Sequence, residues 1–159
     1  MSDAPATDEY GPGVRINPTL IASAGMLGGI GLDRLHPLPM PPGLPGTAIG
    51  IVLMCIAGAL TLWTILQYHR AGTEVRPDRP DSELITGGPY RYTRNPQYIV
   101  LALVQATVAF WLNNLWVLAL TPVTMIVISR YAIRREERYL ENRFGQEYLD
   151  YKQHVRRWI

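Results

Sequence analysis

The stretch NPQYIVLALVQATVAFWLNNLWVLALTPVTMIVIS, from Asn95 to Ser129, runs 35 residues without a charge and is broken near its middle only by Asn113-Asn114. A helix needs roughly 20 largely apolar residues to cross about 30 Å of hydrocarbon. This stretch is too long for one crossing and slightly short for two, unless its arms tilt, thin the bilayer or borrow flanking arginines. The paired asparagines favour two arms joined by a tight turn. Upstream, Gly46 to Tyr68 gives another 23 uncharged residues, enough for one crossing. Ile16 to Leu32 gives 17, but includes Gly25, Gly28, Gly29 and Gly31, and is the marginal span. The predicted fold is therefore all-α: an integral membrane helical bundle of about four transmembrane helices, with further helices at the cytoplasmic C-terminal end. A soluble bundle is disfavoured, because uncharged runs of this length are rare in soluble cores.

Charge supports this and sets an orientation. Only 18% of the 159 residues are charged, and they sit between and after the apolar blocks. Of the fifteen Lys and Arg, only Arg34 falls between the first two spans, and none falls in the Asn-Asn turn. The rest lie in the N-terminal tail, the 69–96 loop and the segment from residue 130. Basic residues stay cytoplasmic, so both termini and the central loop are expected on the cytoplasmic side. The net charge of +2 comes from basic residues interleaved with acids, which argues for membrane orientation and against nucleic-acid binding. The acidic N-terminus (Asp3, Asp8, Glu9) does not open like a secretory signal. The single cysteine, Cys55, lies mid-span, cannot form an internal disulfide, and is expected to be a small packing residue.

The chain is expected to form one domain over residues 1–159, with a poorly ordered tail over 1–15. The proline-rich run His36 to Pro45 cannot be helical and reads as a stiff outer turn. The helix after the fourth span is expected to continue through Leu140 and stop at Gly145, a left-handed terminator. A short amphipathic helix then places Tyr148, Tyr151 and Val155 at helical spacing. No spacing suggests a metal site, a phosphate loop or a dinucleotide fingerprint.

Two clusters can carry chemistry, both where spans meet the cytoplasm. In the first, Asn95-Pro96 fixes the start of span three, and a helix N-terminus there favours a carboxylate or phosphate. Tyr90, Tyr92 and Tyr98 add flat faces and hydroxyls. The second is Arg130, Arg134, Arg135, Glu136, Glu137 and Arg138 at the end of span four. Taken alone, the first reads more readily as a set of interface anchors and the second as a solvated helix extension. A helical hairpin would set the two side by side.

Together these residues resemble a known signature. Gly88-Pro89-Tyr90-Arg91-Tyr92-Thr93-Arg94-Asn95-Pro96-Gln97-Tyr98, followed by Glu136-Glu137, Leu140, Phe144-Gly145, Tyr148 and Tyr151, is similar to the isoprenylcysteine carboxyl methyltransferase and phospholipid methyltransferase superfamily. Arg70-Ala71-Gly72-Thr73 and Leu84-Ile85-Thr86 resemble the lead-in of its bacterial members, and the likeness covers about residues 46–155. It implies an enzyme of the bacterial inner membrane that uses S-adenosyl-L-methionine and methylates a lipophilic acceptor entering from the bilayer. By position, Ser82, Glu83, Leu84, Ile85, Tyr90, Asn95, Pro96, Gln97 and Tyr98 would line the cofactor site. Glu136 matches the cofactor-binding glutamate, with Arg134 and Glu137 expected as the catalytic residues beside it.

Two positions depart from the prenylcysteine enzymes. They carry histidine where this chain has Asn95. One turn before the glutamate they carry an arginine that meets the substrate carboxylate, where this chain has Ala132. An amine, a thiol or another lipophilic acceptor is therefore equally open. Two other readings remain: a nicotinamide-dependent membrane reductase, whose sterol-reducing members share a related Arg-x-Pro-x-Tyr loop, and a non-enzymatic lipid-binding membrane protein.

Overall fold

The computed structural model describes residues 17–70 and 84–159, and every regular element among them is a helix. The expected tail over 1–15 and the residues Ser82 and Glu83 lie outside the described residues. Asn17 caps α1 (Pro18–Leu35) by accepting the Thr19 N–H at 2.9 Å, with proline in the first turn where no donor is needed. After the proline-rich turn, which is not helical as expected, α2 runs Gly46–Arg70. A 3₁₀ turn, Gly88–Arg91, leads into α3 (Pro96–Trp111).

The Asn113-Asn114 turn then reverses the chain. Asn113 takes a positive φ of 51°, which asparagine tolerates. Asn114 caps α4 (Leu115–Ile128), its side chain accepting from the Val117 N–H at 3.0 Å. Pro122 lies inside α4 without ending it. A π-helical turn over Ser129–Ile133 joins α4 to α5 (Arg134–Phe144), so the helical path is continuous from Leu115 to Phe144. The helix ends at Gly145, as expected, with φ 54° and ψ −125°, a region open to glycine. Then α6 spans Gln146–His154, with Tyr148 buried, Tyr151 half-buried and Val155 just past its end.

Small residues decide which helices meet. α3 packs on α2 and on α4, while α1 packs chiefly on α4. A methyl group on Gly25 would lie 2.2 Å from Thr124 Oγ1, and one on Gly29 would lie 2.7 Å from Val117 Cα. Gly25 and Gly29 therefore form a small-xxx-small seam through which α1 reaches the α4 backbone. Gly46 and Gly50 repeat the device on α2, against Phe110 O and the Trp111 ring. Two of the four glycines that make α1 a marginal span by composition, Gly25 and Gly29, are thus the residues that seat it. Gln105, fully buried in α3, directs Nε2 to Val117 O and Thr124 Oγ1, both at 3.4 Å.

Two helices, α2 and the Leu115–Phe144 helix, are long and apolar enough to cross a membrane. Only 17% of the apolar window of α2 is buried, the reverse of a soluble core helix. Ile51, Val52, Ile56, Leu62 and Leu66 instead face outward. Cys55 is exposed on α2, so the packing role expected for it is not found: it lies off the small-residue face of Gly50, Ala57 and Thr64. The two turns that join helices at one end are tied to each other. Met40 N–H donates to Asn113 Oδ1 at 3.1 Å, Leu115 N–H to Leu38 O at 2.9 Å, and Trp116 Nε1–H to His36 O at 2.8 Å. The 84–95 loop, α5 and α6 gather at the opposite end.

Candidate active site

At that end, residues from four elements converge. Tyr98, in the first turn of α3, donates its hydroxyl to Glu136 Oε1 of α5 at 2.5 Å. Tyr90, in the 3₁₀ turn, has its hydroxyl 3.0 Å from that of Tyr68 at the end of α2, with the rings edge to face. Burial pushes the Tyr90 phenol well above its ordinary range, with smaller contributions from Tyr68, Tyr151 and the nearby Glu136 carboxylate. The partly buried Glu136 carboxylate thus sits beside tyrosine hydroxyls from two elements. The loop is pressed onto α2 closely enough that a methyl group on Gly87 would meet Gln67 Nε2 at 2.5 Å.

Beside this cluster lies a second, built on Glu137. Its side chain is 8% exposed and ion-paired to Arg94 at 3.0 Å, whose own side chain is 9% exposed. Arg157 closes on it from the other side with both Nε (2.9 Å) and Nη2 (2.5 Å), a bidentate fork. That bond to Glu137 raises the Arg157 pKa, against the opposing effect of burial. Tyr151 donates to the Tyr90 backbone carbonyl at 2.7 Å, tying α6 to the 3₁₀ turn. Burial raises the Tyr151 and Tyr148 phenols, with Arg94 pulling both back.

The residues singled out from sequence divide accordingly. Tyr90, Tyr98 and Glu136 come together in the first cluster, with Leu84 and Ile85 half-buried on the approach to the 3₁₀ turn. Asn95 and Pro96 are buried at the start of α3, whereas Gln97 is exposed. Asn95 uses its amide to donate to Arg157 O at 2.9 Å. Glu137 is held between two arginines. Arg134 is exposed, and its backbone carbonyl accepts from Arg138 Nε at 3.2 Å. Tyr92 is also exposed and leans on Trp63 of α2, with ring centroids 6.0 Å apart.

Three participants were not anticipated. Tyr68 closes the charge-free block that begins at Gly46, and its position there was the one available signal. Arg157 and Trp158 follow the last helix and carry no periodicity at all. At the register of the missing substrate arginine, Ala132 is fully buried in an apolar cluster with Tyr98, Ile128 and Ile133, against which Trp158 packs.

The arrangement joins two motif halves some forty residues apart through one hydrogen bond and one ion pair. The model of the phospholipid methyltransferase family matches residues 46–147, a segment that contains the first half and the second as far as Gly145. The chain belongs to the phospholipid methyltransferase family. Membership implies methyltransferase activity in general, and enzymes of this family generally use S-adenosylmethionine. With the two apolar helices it also suggests a membrane protein. Over 62 residues the chain is 42% identical to an uncharacterized protein of Haemophilus influenzae, an overlap covering 39% of this family member and 98% of that protein. No solved structure matches.

Proposed function

We propose that this protein is an integral membrane methyltransferase that takes S-adenosylmethionine at the Tyr90–Tyr98–Glu136 cluster and methylates a lipophilic acceptor reaching it from the bilayer. The observation that carries the reading is the 2.5 Å bond between Tyr98 and Glu136, which unites the two halves of the family signature.

The donor set suits such a cofactor. Glu136 offers a carboxylate to a cationic group, and tyrosine faces attract a sulfonium. α3 begins with proline, which has no N–H, so Gln97 supplies the first backbone donor at a positive helix end suited to a carboxylate. Leu84 and Ile85, half-buried before the 3₁₀ turn, would complete the wall. When bound, S-adenosylmethionine would supply an electrophilic methyl group. The protein's part is to orient and desolvate the site, and positioning of this kind can supply much of a rate enhancement. Arg134 and Glu137 stand at the margin of the reacting groups, where the fork on Glu137 makes it a holder of the loop.

A carboxylate on the acceptor would find no cation at Ala132, which is fully buried, and Arg157 is engaged by Glu137. Burying an unpaired carboxylate is costly. The acceptor is therefore better described as a lipophilic amine, thiol or neutral headgroup than as a prenylcysteine. Purified protein in nanodiscs is expected to retain isotope-labelled S-adenosylmethionine and not a nicotinamide cofactor. Retention of the nicotinamide instead would replace the reading by that of a reductase.

The proposed topology has four crossings, with both termini and the site cytoplasmic. α1 and α3, of 18 and 16 residues, reach about 27 and 24 Å at 1.5 Å per residue, lengths that a locally thinned bilayer accommodates. The tied turns at 36–45 and 112–114 share one end, and among the described residues the Lys and Arg other than Arg34 gather at the other. In a Cys55→Ser background, a membrane-impermeant maleimide applied to intact cells should label Pro42→Cys and spare Glu147→Cys until lysis. Labelling of position 147 from outside would overturn the orientation.

A further inference from the structure

Three helices begin at asparagine, and one of the three behaves differently. Asn17 and Asn114 each cap their own helix, the side-chain oxygen accepting a backbone N–H within the first turn. Asn95 does not cap α3. Its amide donates instead to the Arg157 carbonyl at 2.9 Å, and the same carbonyl accepts from the Thr93 hydroxyl at 3.2 Å. Thr93 Oγ1 in turn accepts the Asn95 N–H at 3.2 Å, and Arg94 N–H donates to Arg156 O at 3.0 Å. The start of α3 is thus set by the chain more than sixty residues away, in place of the local cap that asparagine ordinarily supplies.

The segment that does this follows α6. Val155 leaves the helix with extended backbone (φ −119°, ψ 131°), and the chain then crosses the mouth of α3. Its side chains grip on two sides. Arg157 forks onto Glu137 of α5, and Trp158 packs against the apolar cluster that contains Tyr98 and Ala132. Tyr98 is three residues past Asn95, and Glu136 is next to Glu137. The segment therefore touches the immediate neighbours of both partners in the 2.5 Å bond.

We infer that residues 155–159 form a strap whose Arg157 and Trp158 are positioning residues, holding the Tyr90–Tyr98 loop in register with Glu136 so that the cofactor meets a preformed site. Preorganisation of this kind removes an ordering cost from binding. The inference rests on the methyltransferase reading for its ligand, though the hold of the strap on the loop does not.

The full chain in nanodiscs tests both, with hydrogen exchange over residues 90–98 and calorimetric S-adenosylmethionine affinity as the readouts. Arg157→Ala and Trp158→Ala should each speed exchange in that segment and weaken the cofactor about tenfold, the scale of one lost charge-assisted or packed contact. Arg157→Lys and Trp158→Phe should recover much of both. Thr93→Val, which removes one strap bond and the local acceptor of the Asn95 N–H, compared with Thr93→Ser, which keeps both, serves if the alanine variants do not fold. Unchanged exchange in folded variants overturns the strap. Faster exchange with unchanged affinity reduces it to a structural brace and overturns the positioning role. Failure of the wild type to bind the cofactor sinks the methyltransferase reading before any variant is made, and the exchange readout then decides the strap alone.

Discussion

Replacing Glu136 by glutamine is expected to weaken S-adenosylmethionine binding roughly ten- to a hundredfold, while the helices stay assembled. Glutamine keeps the shape and can still accept from the Tyr98 hydroxyl, now 2.5 Å from Oε1. What it removes is the charge. A charge-assisted contact is worth about 1.5–3 kcal/mol, which converts to that range of affinity. Calorimetry on the purified protein reads it directly. Undiminished binding in a folded Glu136→Gln protein would assign Glu136 to the helix surface and move the cofactor elsewhere.

The neighbouring residue should give the opposite signature. Glu137→Ala is expected to destabilise the protein by about 3–5 kcal/mol, the range for removing one partner of a buried ion pair. The carboxylate is 8% exposed and serves two guanidiniums, Arg94 at 9% and Arg157 at 32% side-chain exposure. Arg157 keeps part of its hydration, so most of the cost falls on Arg94, which would remain buried beside a void. Thermal unfolding in detergent should show a clear loss of midpoint for Glu137→Ala and little for Glu136→Gln. A Glu137→Ala protein as stable as the wild type would mean that water replaces the carboxylate between the two arginines. Adjacent glutamates on one helix would then differ only in register, one turned to the ligand and one to the frame.

Much of this frame is legible in the chain. The uncharged block Gly46 to Tyr68 anticipates α2, which runs two residues further, and Asn113-Asn114 and Gly145 mark the ends of helices where they fall. These are local signals: absence of charge, a tolerated positive φ, a missing Cβ. The site is legible only in halves, because Tyr98 and Glu136 each read as an interface residue until a hairpin brings them together. Tyr68, Arg157 and Trp158 escaped for the same reason in a stronger form. Their partners lie 20 to 64 residues away, and contacts at such separations leave no period along the sequence. The four glycines of the 16–32 block carry a signal that composition does not read. Composition weighs them as lost hydrophobicity, whereas Gly25 and Gly29 act through what their missing side chains let approach.

The π-helical turn at Ser129–Ile133 has a consequence for how such a site varies among relatives. A π turn holds one residue more than an α turn, and each residue of an α-helix advances the azimuth by about 100°. Above the turn, α4 keeps its face toward α1 and α3; below it, α5 keeps Glu136 and Glu137 toward the loop. The two faces are phased independently, with the extra residue as the offset between them. Gain or loss of a single codon here would swivel the whole acidic face against the helices above the turn while leaving every side chain of the site intact. Aim is therefore inherited through length at this turn, and identity through the residues on either side of it.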